Sequence, residues 1–296
     1  MGRTNRAKTV ARRRSAPSTG PARRWIALAL LTLLVAGGAF LFRTPSEPQA
    51  LGPAMATIAG WVPAQDARRR RVEVIRTFPH ERDAYTQGLL WSEGELFEST
   101  GREGESTLRR LDPETGEVRQ RIAIPDQYFG EGLALVDDRL IMLTWRAERA
   151  FVFDRESLAE LETYRYRGEG WGLCLDDDRL VMSDGTDLLT FRDPVTFEPI
   201  GERRVQLEGR PLSRLNELEC VAGDVYANVW EEDFIVRIDL DTGRVTDYIA
   251  AEGLLSGDDL LGAEVLNGIA YDPDAETFYL TGKWWPKMFE VRFVDQ

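Results

Sequence analysis

The chain of 296 residues holds one histidine, His80, and two cysteines, Cys174 and Cys220. It also holds only three lysines, Lys8, Lys283 and Lys287, against 34 arginines. A His/Cys zinc cage is therefore excluded within one chain, since a structural site takes about four such ligands and a catalytic one about three. Any Ser-His-Asp or Cys-His pair would have to use His80. Two cysteines make no disulfide framework. Basic side chains are scarce in most of the chain: residues 72–296 carry 24 Lys and Arg against 48 Asp and Glu, whereas residues 1–71 carry 13 against 2. A body with a net charge of −24 offers no Lys/Arg surface for phosphates, which excludes nucleic-acid binding. The chemistry left to this chain must run on carboxylates, amides, Lys, Arg or aromatic rings.

The basic end has its own logic. Residues 25–42 read WIALALLTLLVAGGAFLF, 18 residues without a charge, behind Arg3, Arg6, Lys8, Arg12, Arg13, Arg14, Arg23 and Arg24. The run exceeds a signal-peptide core of about 7–15 residues and matches the short end of a spanning helix, about 17–25. The best small-x-small cleavage candidate, Ala54-Met55-Ala56, lies well past it. The expectation is a basic cytoplasmic segment (1–24), an uncleaved signal anchor or transmembrane helix (25–42) and a Pro-containing flexible linker (43–71), with cleavage and secretion as the alternative. Positive charge stays inside, so the acidic body faces the periplasm or the outside of the cell.

Residues 72–296 repeat. Each unit has an apolar segment, opening at a Gly in four of the five, a turn, and a second apolar segment ending in small polar residues. The first segments are Gly88-Leu89-Leu90-Trp91, Gly132-Leu133-Ala134-Leu135, Gly172-Leu173-Cys174-Leu175, Glu217-Leu218-Glu219-Cys220 and Gly268-Ile269-Ala270-Tyr271. The second segments open at Leu96, Leu140, Leu180, Val225 and Phe278, spaced by 44, 40, 45 and 53 residues. A period of about 40–50 residues built from short strands predicts a β-propeller. Third strands are expected over 107–111, 150–154, 188–192, 234–240 and 288–293, and outer strands over 118–124, 161–166, 200–206 and 245–250. The fifth unit lacks its outer strand before Gln296, and the alternating stretch 72–78 can supply it and close the ring. The fold class is thus all-β, a five-bladed propeller closed by an N-terminal outer strand and preceded by the anchor helix. A two-sheet sandwich is the alternative, and no further helix is expected.

Aligning the units places Gln87, Glu131, Trp171, Asn216 and Asn267 at one position, just ahead of the strand that lines a propeller's channel. A purely structural role would repeat one small or apolar residue there. These five are of four kinds, and four of them carry a carboxamide or carboxylate. A second set, five residues into each second strand, holds Gly101, Trp145, Gly185, Trp230 and Lys283. A rotatable ammonium in a protein that otherwise uses Arg points to a Lys-specific task, although a solvated strand-end lysine is the plainer reading. Blade packing is the plainer reading for Trp145, Trp171 and Trp230, and turn capping for Asn216 and Asn267.

At these residues the sequence resembles the plant-type glutaminyl-peptide cyclotransferases, five-bladed propeller glutaminyl cyclases also found in bacteria. The matching stretches include Tyr85-Thr86-Gln87-Gly88-Leu89, Gly130-Glu131-Gly132, Leu143-Thr144-Trp145, Trp171-Gly172-Leu173, Leu215-Asn216-Glu217, Asn228-Val229-Trp230 and Leu280-Thr281-Gly282-Lys283. The resemblance implies conversion of N-terminal glutamine to pyroglutamate with release of ammonia, on peptide or protein substrates. It implies site residues at Gln87, Glu131, Trp145, Trp171, Asn216, Trp230 and Lys283. Tyr85 stands where the plant members are expected to have Phe. The animal enzymes of this activity have another fold with catalytic zinc, and the lone His80 agrees with the zinc-free class.

The reaction explains the residue types. The α-amine must attack the side-chain carboxamide, so Glu131, the one acid in the mouth ring, is the candidate base. Lys283 and Asn216, with Gln87, would face the oxyanion. Trp145, Trp171 and Trp230, with Gln87, Asn267 and Tyr85, would grip the substrate. His80 reads as a loop hydrogen-bonder, and Gly168-Glu169-Gly170 as a strand opening rather than a phosphate loop. Cys174 and Cys220 read as buried thiols, with a disulfide left open for an exported protein. No cofactor is expected; a structural channel cation such as Ca²⁺ is not legible. The chain is expected to be a monomer, tied to the membrane through its anchor. A metal-dependent lactonase-like hydrolase and a non-catalytic propeller that binds a protein or cell-wall partner are the competing functions.

Overall fold

A computed structural model of the chain describes residues 67–296. The basic segment, the anchor 25–42, the cleavage candidate and residues 43–66 of the expected linker lie outside the described residues. Among the described residues no helix is long and apolar enough to cross a membrane.

The described chain is all-β apart from one short 3-10 turn, Gly257–Leu260. Strand β1 is Arg68–Pro79. Three four-stranded meanders follow. The first is β2 (Thr86–Ser92), β3 (Glu95–Thr100), β4 (Thr107–Leu111) and β5 (Val118–Ala123). The second is β6 (Gly130–Val136), β7 (Arg139–Thr144), β8 (Arg149–Asp154) and β9 (Glu160–Arg165). The third is β10 (Leu173–Asp176), β11 (Arg179–Ser183), β12 (Leu188–Arg192) and β13 (Pro199–Arg204). A small hairpin, β14 (Gln206–Leu207) and β15 (Arg210–Pro211), was not foreseen. Then come β16 (Leu215–Val221), β17 (Asp224–Val229), β18 (Phe234–Asp239) and β19 (Arg244–Ala250), followed by β20 (Leu266–Asp272), β21 (Thr277–Gly282) and β22 (Lys287–Asp295).

The repeat read from sequence is a repeat of register. Leu96, Leu140, Leu180, Val225 and Phe278 sit opposite Trp91, Leu135, Leu175, Cys220 and Tyr271, the same cross-strand pair five times. The five inner strands β2, β6, β10, β16 and β20 touch in a closed cycle, which excludes the two-sheet sandwich. They approach backbone to backbone. A Cβ at Gly88 would lie 2.6 Å from the Leu133 amide, and one at Gly132 2.5 Å from the Leu173 amide. The repeated Gly is therefore a spacing requirement at the axis.

The ring closes through β1, which pairs antiparallel with β22 from Val72↔Phe293 to Pro79↔Lys287, as expected. It starts four residues earlier than the alternating stretch, so Arg68–Arg71, read as the end of the linker, are strand. They pair parallel with β19, and Arg68 and Arg70 each meet buried Asp247 at 2.9 Å. This ties the two last sheets into one. Past the end of β1, His80 is buried: Nε2 meets Glu98 Oε1 at 2.9 Å and Nδ1 meets the Trp285 carbonyl at 2.9 Å. Cys174 and Cys220, read as thiols with a disulfide left open, are joined in a disulfide between β10 and β16, with Cα atoms 5.5 Å apart. Sequence could not show this, because the two positions become neighbours only when the inner strands meet.

Candidate active site

The inner strands share one irregularity. Pairing slips between Thr86 and Gly88, between Gly130 and Leu133, between Leu215 and Leu218, and between Leu266 and Ile269. Such a slip leaves residues out of the ladder and re-aims their side chains. Gln87, Glu131, Asn216 and Asn267 all lie within these slips. In the third unit Trp171 stands just before β10, its N–H donating to the Ser183 carbonyl at 3.0 Å. The small polar residues that end the second strands lock these positions. Ser99 Oγ donates to the Glu131 carbonyl and Ser183 Oγ to the Asn216 carbonyl, both at 2.6 Å.

A cavity of about 380 Å³ opens over this end of the ring. Gln87, Glu131, Trp171 and Asn216 line it, with Tyr85, Trp145, Trp230 and Lys283. Asn267 does not reach it. That residue is fully buried behind Gln87, donating to Gln87 Oε1 at 3.2 Å and to the Thr86 carbonyl at 2.9 Å. A substrate-binding role for Asn267 is corrected on that ground; it supports Gln87 instead. His80 also lies outside the cavity wall.

Glu131 and Lys283 are each about 4% exposed. Burial raises the Glu131 carboxyl well above the usual range; the Lys283 charge opposes this and Glu169 adds to it. Burial likewise lowers the Lys283 ammonium, opposed by Glu131 and Glu264. Gln87 Nε2 donates to Glu131 Oε1 at 3.0 Å, so that amide serves the carboxylate rather than standing free for an oxyanion. Lys283 Nζ sits 4.9 Å from the centre of the Tyr85 ring. The Tyr85 hydroxyl donates to Glu264 at 3.0 Å, and burial with that carboxylate pushes the phenol up to about 12.

The walls are aromatic. Trp171 and Trp230 meet edge to face at 5.7 Å, and Phe129 lies 5.6 Å from Trp145. The two glycines of the second set make room for these rings. A Cβ at Gly185 would lie 2.6 Å from the Trp171 indole, and Gly185 holds φ +81° besides. At Gly101 a Cβ would strike the Phe129 ring. Phe129, Arg146 and Glu169 complete the wall and were not singled out from sequence. Their signal was position alone, since each lies one or two residues from a chosen site residue. Among the described residues no group of three or more His, Cys, Asp or Glu side chains is placed to hold a metal ion.

The arrangement presents a buried carboxyl, a buried lysine and indole walls over a hollow of small-molecule size, about 300–1,000 Å³. The chain as a whole shows three similarities to known proteins. A family model described as glutamine cyclotransferase matches residues 49–293. A glutaminyl-peptide cyclotransferase of Arabidopsis thaliana is 37% identical over 279 residues, covering 91% of this chain and 84% of that one. The crystal structure of a Myxococcus xanthus glutaminyl cyclase has a TM-score of 0.71 and 39% identity, covering 78% of this chain and 99% of that chain.

Proposed function

The chain belongs to the glutamine cyclotransferase family, and from that premise we infer how its cavity turns the N-terminal glutamine of a peptide into pyroglutamate and ammonia. The substrate's α-amine attacks its own side-chain carboxamide carbon. A C–N bond forms, a tetrahedral oxyanion follows, and the original carboxamide C–N bond breaks as ammonia leaves. The indole walls favour the conformer folded back on its amine, which makes the reacting ends neighbours. Glu131 accepts a proton from the attacking nitrogen and returns one to the leaving nitrogen. A carboxyl raised by burial is suited to both transfers near neutral pH. Lys283 and Asn216 line the same cavity and would meet the oxyanion, and Gln87 holds the Glu131 carboxylate. Trp145, Trp171, Trp230 and Tyr85 enclose the side chain.

The single observation that carries this reading is Glu131, buried and raised, sharing one Trp-walled cavity with Lys283. The test is ammonia release from a Gln-initiated dipeptide by the whole chain, with and without chelator. Chelator-resistant release supports the cyclotransferase. Chelator-sensitive ester cleavage would point to a lactonase-like hydrolase, and silence in both to a binding module.

The same reading takes the ring as a five-bladed β-propeller, with β1 as the outer strand of the last blade; the cyclic contact of five inner strands supports it. It takes the enzyme as a zinc-independent monomer on the extracytoplasmic face, held by residues 25–42. The basic arm and the disulfide favour export to an oxidising compartment. Loss of membrane association on deleting residues 1–42 would check the anchor.

A further inference from the structure

The turn Gly168-Glu169-Gly170 delivers one carboxylate to the cavity rim. Gly168 adopts φ +88°, and its N–H donates to Glu148 Oε1 at 3.0 Å. The Gly170 N–H donates to the Trp145 carbonyl at 3.0 Å, and a side chain at Gly170 would collide with the Tyr166 hydroxyl. The turn is thereby pinned to the neighbouring sheet, with Glu169 at its tip.

Glu169 uses both oxygens. Oε2 accepts the Trp145 indole N–H at 2.8 Å and the Trp171 indole N–H at 3.1 Å. Oε1 accepts from Arg146 Nε at 2.9 Å, and that guanidinium lies 3.6 Å from the centre of the Trp145 ring. Trp145 follows β7 and Trp171 precedes β10, so one oxygen joins indoles carried by two sheets. Burial raises this carboxyl, but the bonds from Trp171, Arg146 and Trp145 outweigh it and hold it below its ordinary value. An exposed Glu–Arg pair alone would count for little. Two indole donors on one charged oxygen are stronger and directional.

We propose that Glu169 is a positioning residue: by accepting both indole N–H groups on one oxygen it sets the gap between Trp145 and Trp171, and so the width of the slot that keeps the substrate glutamine folded on its own amine. This rests on the cyclotransferase reading of the cavity. Glu169 does not take the reacting proton; it acts through the two rings. The requirement is an acceptor at the right reach rather than a negative charge.

Four variants separate those requirements. Glu169→Ala removes the acceptor and lowers kcat/KM for a Gln-initiated dipeptide by about 10- to 100-fold. Glu169→Asp keeps the charge one methylene short of both indoles and falls with it. Glu169→Gln keeps an acceptor oxygen at full length and stays within about threefold of the parent, because a neutral acceptor retains much of the bond. Arg146→Ala removes the Oε1 partner and the guanidinium stacked on Trp145 but neither indole bond, and falls less than Glu169→Ala. Tryptophan emission shifts in the Ala and Asp variants and not in the Gln variant. The proposal is overturned if Glu169→Gln loses as much as Glu169→Ala, if Glu169→Asp keeps full activity, or if Arg146→Ala matches Glu169→Ala. Should Glu169→Ala not fold, the Asp, Gln and Arg146 variants still decide. A parent protein that releases no ammonia would sink the cyclotransferase reading, whereas the emission comparison tests the clamp by itself.

Discussion

Two glutamates of the inner strands, Glu131 on β6 and Glu217 on β16, differ in what surrounds an equally buried carboxyl. Both are raised well above the usual carboxylate range, chiefly by burial. Glu217 stands where the other units keep their axial Gly, and its carboxylate fills the space between strands. It accepts the Ile269 N–H at 2.8 Å and the Leu89 N–H at 3.4 Å, a crossbrace from β16 to β20 and β2. Glu131 accepts one amide N–H, lines the cavity and feels the field of Lys283. Burial alone therefore does not mark a catalytic acid. Access to a hollow and an opposing cation separate the proposed base from the brace.

The comparison breaks most sharply at Glu131. Glu131→Gln should cut kcat by about 10²–10⁴-fold with an unchanged melting temperature; near-parental turnover in a folded protein would remove Glu131 as the base. Lys283→Ala should cost about 10²–10³-fold in kcat, with little change in KM if the ammonium meets charge that develops in the transition state. A loss confined to KM would make it a binding residue. The kcat profile against pH should be a bell. It rises through the Glu131 value, above the ordinary 4.5, because the base must be ionised, and it falls through the Lys283 value, below the ordinary 10.5. Removing Lys283 takes away the charge that holds Glu131 down, so the acid limb should move to higher pH. A limb that moves down instead would contradict the coupling.

Smaller effects test the frame. Replacing Cys174 and Cys220 by Ala should lower stability by about 2–4 kcal/mol in denaturant unfolding while kcat at 25 °C holds. Glu217→Gln leaves one backbone N–H without its acceptor and should cost on the order of 1 kcal/mol of stability, with kcat within about threefold. If Glu217→Gln abolished turnover in a folded protein, the division between brace and base would fall.

Much of this was legible in the chain. Five short apolar segments, four of them opening at Gly, at a period of about 40–50 residues announced the ring, and differentiation at their equivalent positions picked seven residues that meet in one cavity. Asn267 shared the alignment but not the access, because the Gln87 side chain stands between it and the hollow. Glu169 carried no repeat signal, since its importance comes from two indoles that converge on it from different sheets. The disulfide was invisible for a related reason: 46 residues separate its cysteines, and only the meeting of two inner strands brings them together.

By itself the sequence determined strand order, repeat and register, because alternation and turn chemistry act within a few residues of chain. It also determined which residue types were available for chemistry, through the scarcity of histidine, cysteine and lysine. Only the tertiary structure decided which of the buried carboxyls meets the cavity and which braces the strands. Those roles depend on fields, cavities and hydrogen-bond partners contributed by residues far apart in the chain. Such distances are set by ring closure and not by local pattern.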